Sequence, residues 1–302
     1  MKNKTRFLTY LFIYLGFGMS IYAQSLLDKL DKEYPETPQY EIATFKSTRI
    51  GIGHSIENRK KGVLQVVAMN RYWNIPNRPS QSFVADKWSA RIALEYGISD
   101  RLTFGVGGTT LDGIFDGFLK YRLLHQQKGS GGSPISLTLF QNASYKSKRN
   151  RPFVDVNVFD DFTDKMAYTS QILIARKFTP QFSLQLSPTF IHRASSAFDE
   201  DPHNHFAVGF GARYKIGGHI SIASEYYYVV NPLKSIETYD AFSLGVNWEM
   251  SDLMLQFMMT NTRGMVEDAF ILQTPNNFNL NDGNFIFGFN ATFVLHLSQK
   301  KL

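Results

Sequence analysis

Charged residues of both signs recur at alternate positions in several extended segments of this 302-residue chain. Successive side chains of a strand point to opposite faces, so Arg91 and Glu95 share one face of their segment, as Asp116 and Lys120 do in another. The residues with this placement are Arg91, Glu95, Asp116, Lys120, Arg122, Arg213, Lys215, Glu225 and Glu249. Such charges either pair with one another inside an enclosed space or line a narrow water path, and the sequence leaves both interpretations open.

Two histidines form a weak candidate metal site. His203 and His205 lie on the same side of a strand start and follow the acidic run 199–201. Imidazole and carboxylate groups can hold a divalent cation or respond to pH. Metal ligands are usually fixed by further contacts, so a solvated loop is the favoured interpretation. The chain has no cysteine, which excludes thiolate metal sites and disulfides, and no cofactor is predicted.

Segment 284–297 shows which kind of element positions these charges. Its large apolar side chains fall mostly on one parity and its small or polar ones on the other, with Ile286 and Val294 as exceptions. A strand of this length, tilted by roughly 45°, crosses an apolar layer of about 25 to 30 Å. Aromatic residues make up 15% of the chain, although its mean hydropathy is only −0.21. Alternating strands combine these two properties, so the pattern predicts transmembrane β-strands.

The first 23 residues have the pattern of an export signal. Lys2, Lys4 and Arg6 precede the apolar run 7–19, and the segment ends in the small residue Ala23. We therefore expect cleavage after Ala23 and a mature protein in the cell outer membrane. The formal net charge of +6 includes the three basic residues of the signal, and no nucleic-acid partner is predicted.

The remaining segments repeat the strand pattern and predict an all-β fold, an antiparallel up-and-down transmembrane β-barrel. Short turns alternate with longer connections, as in outer-membrane barrels with periplasmic turns and external loops. Strands are predicted at 62–70, 88–98, 101–111, 114–124, 134–145, 168–178, 182–193, 204–216, 219–230, 239–249, 253–262 and 284–297. Their number, about twelve, is even, as expected of a single-chain bacterial barrel. The strand character of 42–56 leaves fourteen strands as the alternative.

Four regions follow from this assignment. Residues 1–23 are the signal peptide, and 24–61 are a periplasmic or lumen-plugging N-terminal segment. Residues 62–297 form the β-barrel, and 298–302 are a short periplasmic tail. Both termini of the mature chain are therefore expected in the periplasm. The longer external connections are predicted at 71–87, 146–167, 194–203, 231–238 and 263–283.

Several runs of residues resemble a Bacteroidota outer-membrane β-barrel family of unknown function. The runs are Ser-Thr-Arg and Gly-His-Ser-Ile-Glu within 47–57, Lys-Gly at 61–62, and the segments 93–103 and 115–122. Family members typically carry Arg-Phe-Gly after the first strand, whereas this chain has Asn-Arg-Tyr-Trp at 70–73. The resemblance covers most of the mature chain and implies a β-barrel, with no catalytic residues to carry over.

An outer-membrane lipid hydrolase is the enzymatic alternative, and the residue pattern disfavours it. A serine and a histidine that act on the lipid-facing wall must share one strand face. His54 and Ser55 are adjacent and point apart, while His219 and Ser221 share the face assigned to the lumen. The chain also has no Gly-x-Ser-x-Gly motif. We therefore predict that the protein is not an enzyme and has no catalytic residues.

The predicted function is a narrow, weakly selective solute pore or a transport-associated barrel. The prediction rests on the polar inward parity and its slight excess of cationic residues. The alternative is a non-conducting structural or interaction barrel whose external loops bind a ligand or partner. Outer-membrane lipid, lipopolysaccharide and a small solute are the predicted partners, and the basic residues of 146–167 are the candidate contact with lipopolysaccharide. No protein partner is specified by the sequence.

Overall fold

The computed structural model describes residues 39–75, 85–129, 132–148, 161–194, 200–278 and 285–297. Twelve strands within these residues form one closed antiparallel barrel. They are β1 (Val63–Trp73), β2 (Lys87–Gly97), β3 (Leu102–Thr109), β4 (Ile114–Leu124), β5 (Ser136–Lys146), β6 (Met166–Lys177), β7 (Phe182–Arg193), β8 (Asn204–Lys215), β9 (Ile220–Val229), β10 (Ala241–Met250), β11 (Leu253–Thr260) and β12 (Ile286–His296).

Each strand pairs with its sequence neighbours, and β12 pairs with β1 to close the barrel. Closure satisfies every backbone ladder, which a lipid environment requires because it offers no hydrogen bonds. The predicted twelve-stranded up-and-down barrel is confirmed. The fourteen-strand alternative is wrong, because residues 42–56 form bends with a single bridge between Arg49 and His54 rather than strands of the wall.

The side chains of the wall alternate as predicted. On β2, Ile92 is 63% exposed, whereas the neighbouring Ala93 and Glu95 are buried inside the barrel. The four-residue loop between β3 and β4 lies between the paired residues Thr109 and Ile114, and its last two residues, Asp112 and Gly113, both adopt positive φ, at 59° and 58°. This left-handed backbone lets the chain reverse direction within a short loop.

The first strand is longer than predicted. Arg71, Tyr72 and Trp73 belong to β1 rather than to an external loop. The alternation continues through them, since Arg71 and Trp73 are buried and the ring of Tyr72 lies 6.2 Å from that of Phe287 on β12. Cross-strand packing therefore extends the ladder beyond residue 70.

The connection between β11 and β12 is not a simple external loop. It contains the helix α1 (Glu267–Leu272), and all residues from 264 to 272 are buried. We call residues 261–274 the inward loop. Among the described residues, no helix has the length and apolar character needed to cross a membrane. A separate small unit pairs Gln39–Tyr40 with Gln127–Lys128.

Candidate functional site

The lumen contains a segment of the chain itself, residues 47–56, which we call the plug. Every residue of the plug is buried. The chain that follows it runs along the short-turn end of the barrel, where the amide of Arg59 donates to Thr103 Oγ1 at 2.9 Å and the amide of Lys61 donates to Asp100 Oδ1 at 3.0 Å. The predicted signal peptide and residues 24–38 lie outside the described residues, as does the predicted tail 298–302, so the boundaries of those regions stay predictions.

The plug folds back on itself in a narrow turn. The amide of Ile50 donates to the carbonyl of Gly53 at 3.0 Å, and the amide of Ser55 donates to the carbonyl of Thr48 at 2.8 Å. The tip at Gly51 and Ile52 therefore has backbone groups that no neighbouring strand satisfies. Buried backbone groups need partners, so the wall must supply them through side chains.

The wall supplies these partners at the tip of the plug. Glu225 on β9 accepts hydrogen bonds from the amides of Ile52 at 2.6 Å and Gly53 at 3.0 Å. Asn290 on β12 donates to the carbonyl of Gly51 at 2.8 Å, and Gln256 on β11 donates to that of Ile50 at 2.7 Å. The tip is thus held by side chains from one arc of the wall, which runs from β9 to β12.

Further wall residues hold the rest of the plug. Lys120 Nζ on β4 donates to the carbonyls of Ser55 at 2.7 Å and Glu57 at 2.5 Å. The remaining bonds run from Gln65 on β1 to Thr48 Oγ1 (2.7 Å), from Thr138 on β5 to the Ile56 carbonyl (3.1 Å), and from Gln185 on β7 to the His54 carbonyl (2.8 Å). Seven of the twelve strands therefore bind the plug by polar contacts.

The other predicted charged residues form pairs along the lumen. Arg91 and Asp116 form a fully buried ion pair at 2.6 Å. Arg213 pairs with Glu249 at 3.1 Å, and Glu249 also contacts Lys46 at 3.1 Å. Each wall pair spans one intervening strand, β3 between Arg91 and Asp116 and β9 between Arg213 and Glu249. Charge pairing inside the barrel is one of the two arrangements that the sequence left open.

The last three predicted residues differ in environment. Arg122 lies 3.5 Å from Glu57, the residue that follows the plug. Glu95 is buried and accepts a hydrogen bond from Gln65 at 3.1 Å. Lys215 is half-exposed at the end of β8. A role in function for any of the nine residues stays a prediction.

Sequence reasoning missed the uncharged residues that bind the plug. Gln65, Gln185, Gln256 and Asn290 are all buried and all donate side-chain amide hydrogens to the plug. The only signal in the sequence was that these Gln and Asn residues lie on the inward parity. A water-filled barrel would accommodate them equally well, so the signal does not indicate a plug. The sequence gives no sign of which partner they select.

Apolar contacts complete the packing of the lumen. Tyr227 on β9 packs edge-on against Phe270 of α1, with ring centroids 5.0 Å apart. The imidazole of His54 packs beside the rings of Phe118 and Phe140, with centroid distances of 4.5 and 4.4 Å, and the two phenyl rings lie 5.5 Å from each other. In the part of the chain that the structure describes, plug, inward loop and wall thus share a continuous interior.

The inward loop brings a carboxylate to the plug. Glu267 of α1 lies 3.6 Å from both Arg49 Nη1 and His54 Nε2, and all three side chains are buried. Burial raises the pKa of the Glu267 carboxyl to about 7, against the opposing effect of Arg49. Burial also lowers the pKa of His54 well below its usual value, and the charge of Arg49 acts in the same direction.

These shifts predict how Glu267 affects stability at different pH values. Because the folded pKa is raised from 4.5 to about 7, the contribution of Glu267 is fully present below 4.5 and is lost as the pH rises through 7. Relative to Glu267→Gln, the free energy of unfolding of the wild-type protein should fall by up to about 3 kcal/mol across this range. The buried neutral His54 destabilises the fold as the pH falls. Because both proteins contain His54, the comparison between them isolates the effect of Glu267.

Urea unfolding at pH 5 and pH 8 measures this difference. Glu200→Gln, on an exposed loop, is the control and should leave the pH profile of the wild-type protein unchanged. Parallel profiles for the wild-type protein and Glu267→Gln would contradict the prediction.

The two candidate metal ligands, His203 and His205, lie in different environments. His205 is buried, and its Nδ1 lies 2.8 Å from the carbonyl oxygen of Asn231. His203 is exposed, and its Nδ1 lies 2.8 Å from the carbonyl oxygen of Arg193. Within the described ranges, no group of three or more His, Asp or Glu side chains is placed to hold a metal ion.

The residues considered for lipid hydrolysis are not arranged as a pair on the outer wall. Ser221 is fully buried inside the barrel, and its hydroxyl accepts a hydrogen bond from Arg213 Nε at 3.2 Å. Ser55 lies in the plug and donates to the carbonyl of Ser47 at 2.5 Å. Neither hydroxyl faces the lipid.

The closed barrel, its apolar outer surface and its polar interior define a membrane-bound β-barrel. Over residues 45–295 the sequence matches the family described as a membrane bound beta barrel domain (DUF5777), and the chain belongs to this family. The predicted resemblance to a β-barrel family of unknown function is confirmed to that extent, and a Bacteroidota origin stays a prediction. No curated protein matches the sequence.

Several solved barrels are similar to the chain in shape. The NanC porin is 10% identical with a TM-score of 0.47, over 76% of this chain and 98% of that chain. The KdgM porin is 8% identical with a TM-score of 0.47, over 77% and 99%. The COG4313 outer membrane channel from Pseudomonas putida F1 is 13% identical with a TM-score of 0.48, over 80% and 98%. With TM-scores below 0.5, no property of those proteins transfers to this one.

Proposed function

We propose that this protein is an outer-membrane channel for small solutes that is closed by its own plug. The observation that carries the proposal is the chemistry of the plug contacts. The wall holds the plug mainly through side-chain hydrogen bonds to its backbone, from Glu225, Lys120, Gln256 and Asn290 among others. Water can replace such bonds when the plug leaves, which a dry apolar core would not allow without a much larger cost.

The same polar side chains would line the open path. With the plug displaced, the groups that now bind its backbone would face water, together with the pair Arg213 and Glu249 at the short-turn end. This supports a hydrated path rather than a lipid-like one. The alternation of turn and loop lengths supports an orientation with both termini in the periplasm, so that the plug enters from the periplasmic side.

A reversible bridge between plug and wall tests the proposal. The chain contains no cysteine, so an engineered pair would be the only one present. A Cβ atom on Gly51 would lie 3.3 Å from Ser243 Oγ on β10, which is close enough for a disulfide between Gly51→Cys and Ser243→Cys. We expect conductance events in planar bilayers from the reduced protein and roughly tenfold fewer from the oxidised protein.

The single variant Gly51→Cys, given the same redox treatment, is the control and should not respond. Folding is checked for each sample by its heat-dependent migration in gels. A well-folded protein that never conducts, reduced or oxidised, would reject the channel.

The second candidate is a non-conducting interaction barrel, and one observation favours it. The lumen of the described chain is filled by both the plug and the inward loop, with Ile52, Tyr227 and Phe270 in one apolar cluster. A barrel whose interior is permanently packed would act through its external loops. In the bilayer experiment this candidate predicts silence from the reduced and the oxidised protein alike.

A further inference from the structure

Three arginines in the lumen have side-chain donors that no group of the described chain accepts. Arg71 on β1 and Arg91 on β2 are diagonal neighbours, because Arg71 pairs with Ser89 and Arg91 with Met69 in the antiparallel register. Arg49 of the plug is close enough for its charge to act on both. The unpartnered buried atoms are Nε and Nη2 of Arg49, Nε and Nη2 of Arg71, and Nε and Nη1 of Arg91.

Of the three arginines, Arg71 has the least compensation for its positive charge. Its side chain is fully buried, and its Nη1 donates only to neutral oxygens, the carbonyl of Asn70 at 2.9 Å and Oδ1 of Asn290 at 3.0 Å. Within the described chain, no carboxylate lies within ion-pair distance of its guanidinium. A buried charge without a counter-charge is costly, so an anion at this position would be strongly favoured.

The nearby carboxylates are committed to other partners. Asp116 pairs with Arg91 at 2.6 Å, and Glu267 lies 3.6 Å from Arg49. The carboxylate of Glu225 accepts the plug amides at the tip. Two carboxylates therefore lie within ion-pair distance of the three arginines, while Glu225 and Glu95 act on Arg71 and Arg91 only from a greater distance. The pKa of Glu267, which burial raises to about 7, leaves that carboxyl only partly ionised at neutral pH.

Two glycines make room for the guanidinium groups. A Cβ atom on Gly288, opposite Arg71 on β12, would lie 3.1 Å from Arg71 Nη1. A Cβ atom on Gly107 of β3 would overlap the guanidinium of Arg91. Any side chain at these two positions would occupy the space that the arginines now use.

We propose that Arg49, Arg71 and Arg91 bind a small oxyanion, the carboxylate or phosphate group of a solute. The planar fork of a guanidinium presents paired donors that match the oxygens of such a group. The lumen contacts alone support the binding of such an anion. If the barrel is the channel proposed above, the same site makes small anions the class of solute that it admits.

Thermal unfolding of the full-length protein tests the site. The wild-type protein and Arg71→Gln are refolded in detergent with inorganic phosphate, acetate or chloride at equal ionic strength, so that entry into the plugged lumen is not limiting. A ligand that binds only the folded state raises the Tm with its concentration. We expect phosphate or acetate to raise the Tm of the wild-type protein more than chloride does, and Arg71→Gln to weaken this affinity roughly tenfold or more.

Two further variants separate a binding role from a structural one. Arg71→Lys keeps the charge without the fork and should bind more weakly than the wild-type protein but more tightly than Arg71→Gln. Arg101→Gln, which removes an arginine from an exposed turn, should bind as the wild-type protein does. At low anion concentration, Arg71→Gln should unfold at a higher temperature than the wild-type protein. If Arg71 only stabilised the fold, this variant would unfold at a lower temperature.

Equal shifts with chloride and the oxyanions, or an unchanged affinity in Arg71→Gln, would overturn the inference. These readouts do not depend on conductance. Binding without channel activity would reject the proposed function alone, and channel activity without oxyanion binding would reject the anion site alone.

Discussion

A barrel that carries Gly53→Val should open roughly tenfold more often in planar bilayers than the wild-type protein. A Cβ atom at this position would overlap the hydroxyl of Tyr227 and lie 3.1 Å from Oε1 of Glu225. Tyr227 cannot easily yield, because its ring is buried against Phe270. The tip of the plug must therefore move away from β9 and lose its bonds to Glu225, while the ladders of the wall are untouched.

The measurement is the open probability at fixed voltage, compared with that of Gly218→Val. Gly218 lies in the turn between β8 and β9, and a Cβ atom there would meet nothing within 4 Å. Heat-dependent migration should be the same for both variants. If Gly53→Val folds and opens no more often than the wild-type protein, the plug does not control a path through the barrel.

Replacing Arg91 by methionine should destabilise the folded barrel by about 3–5 kcal/mol, because Asp116 would remain as a buried charge without its partner. The ion pair is 2.6 Å long, and neither side chain is accessible. Asn142 would still donate to Asp116 at 3.3 Å, which does not replace a cation. Urea unfolding in lipid vesicles, followed by tryptophan fluorescence, measures the loss.

A second substitution distinguishes charge from packing. In the double variant Arg91→Met with Asp116→Leu, both charges are absent, so most of the lost stability should return. Arg101→Met on the exposed turn should change the free energy of unfolding by less than about 0.5 kcal/mol. A double variant as unstable as Arg91→Met would show that the arginine acts through its shape.

The wall of the barrel could be predicted from sequence because its rule is local. Lipid on one side and a polar interior on the other impose a period of two, so residues such as Ile92 and Glu95 reveal their faces without knowledge of any partner. Even there the end of β1 was missed. Tyr72 belongs to the ladder because it packs against Phe287 of the last strand, a contact that no local pattern contains.

The filling of the lumen could not be predicted in the same way. The plug has Ile50, Ile52 and Ile56 at alternate positions, as a strand would, but its backbone is satisfied by side chains of the wall rather than by a neighbouring ladder. The inward loop has acidic residues that are typical of an exposed loop. Glu267 is buried because Arg49, distant in sequence, lies beside it.

The hydrogen bond between Asn290 and Gly51 has a consequence for the order of assembly. The two residues are 239 positions apart, so the first part of the described chain is tied to its last strand. Contacts of such separation form late, because the intervening chain must be organised before they can hold. The plug precedes every strand of the wall in the sequence, yet it can take its final place only when β12 has met β1. A chain truncated before β12 should therefore leave the plug accessible to added protease, so protection of the plug would report that the barrel is complete.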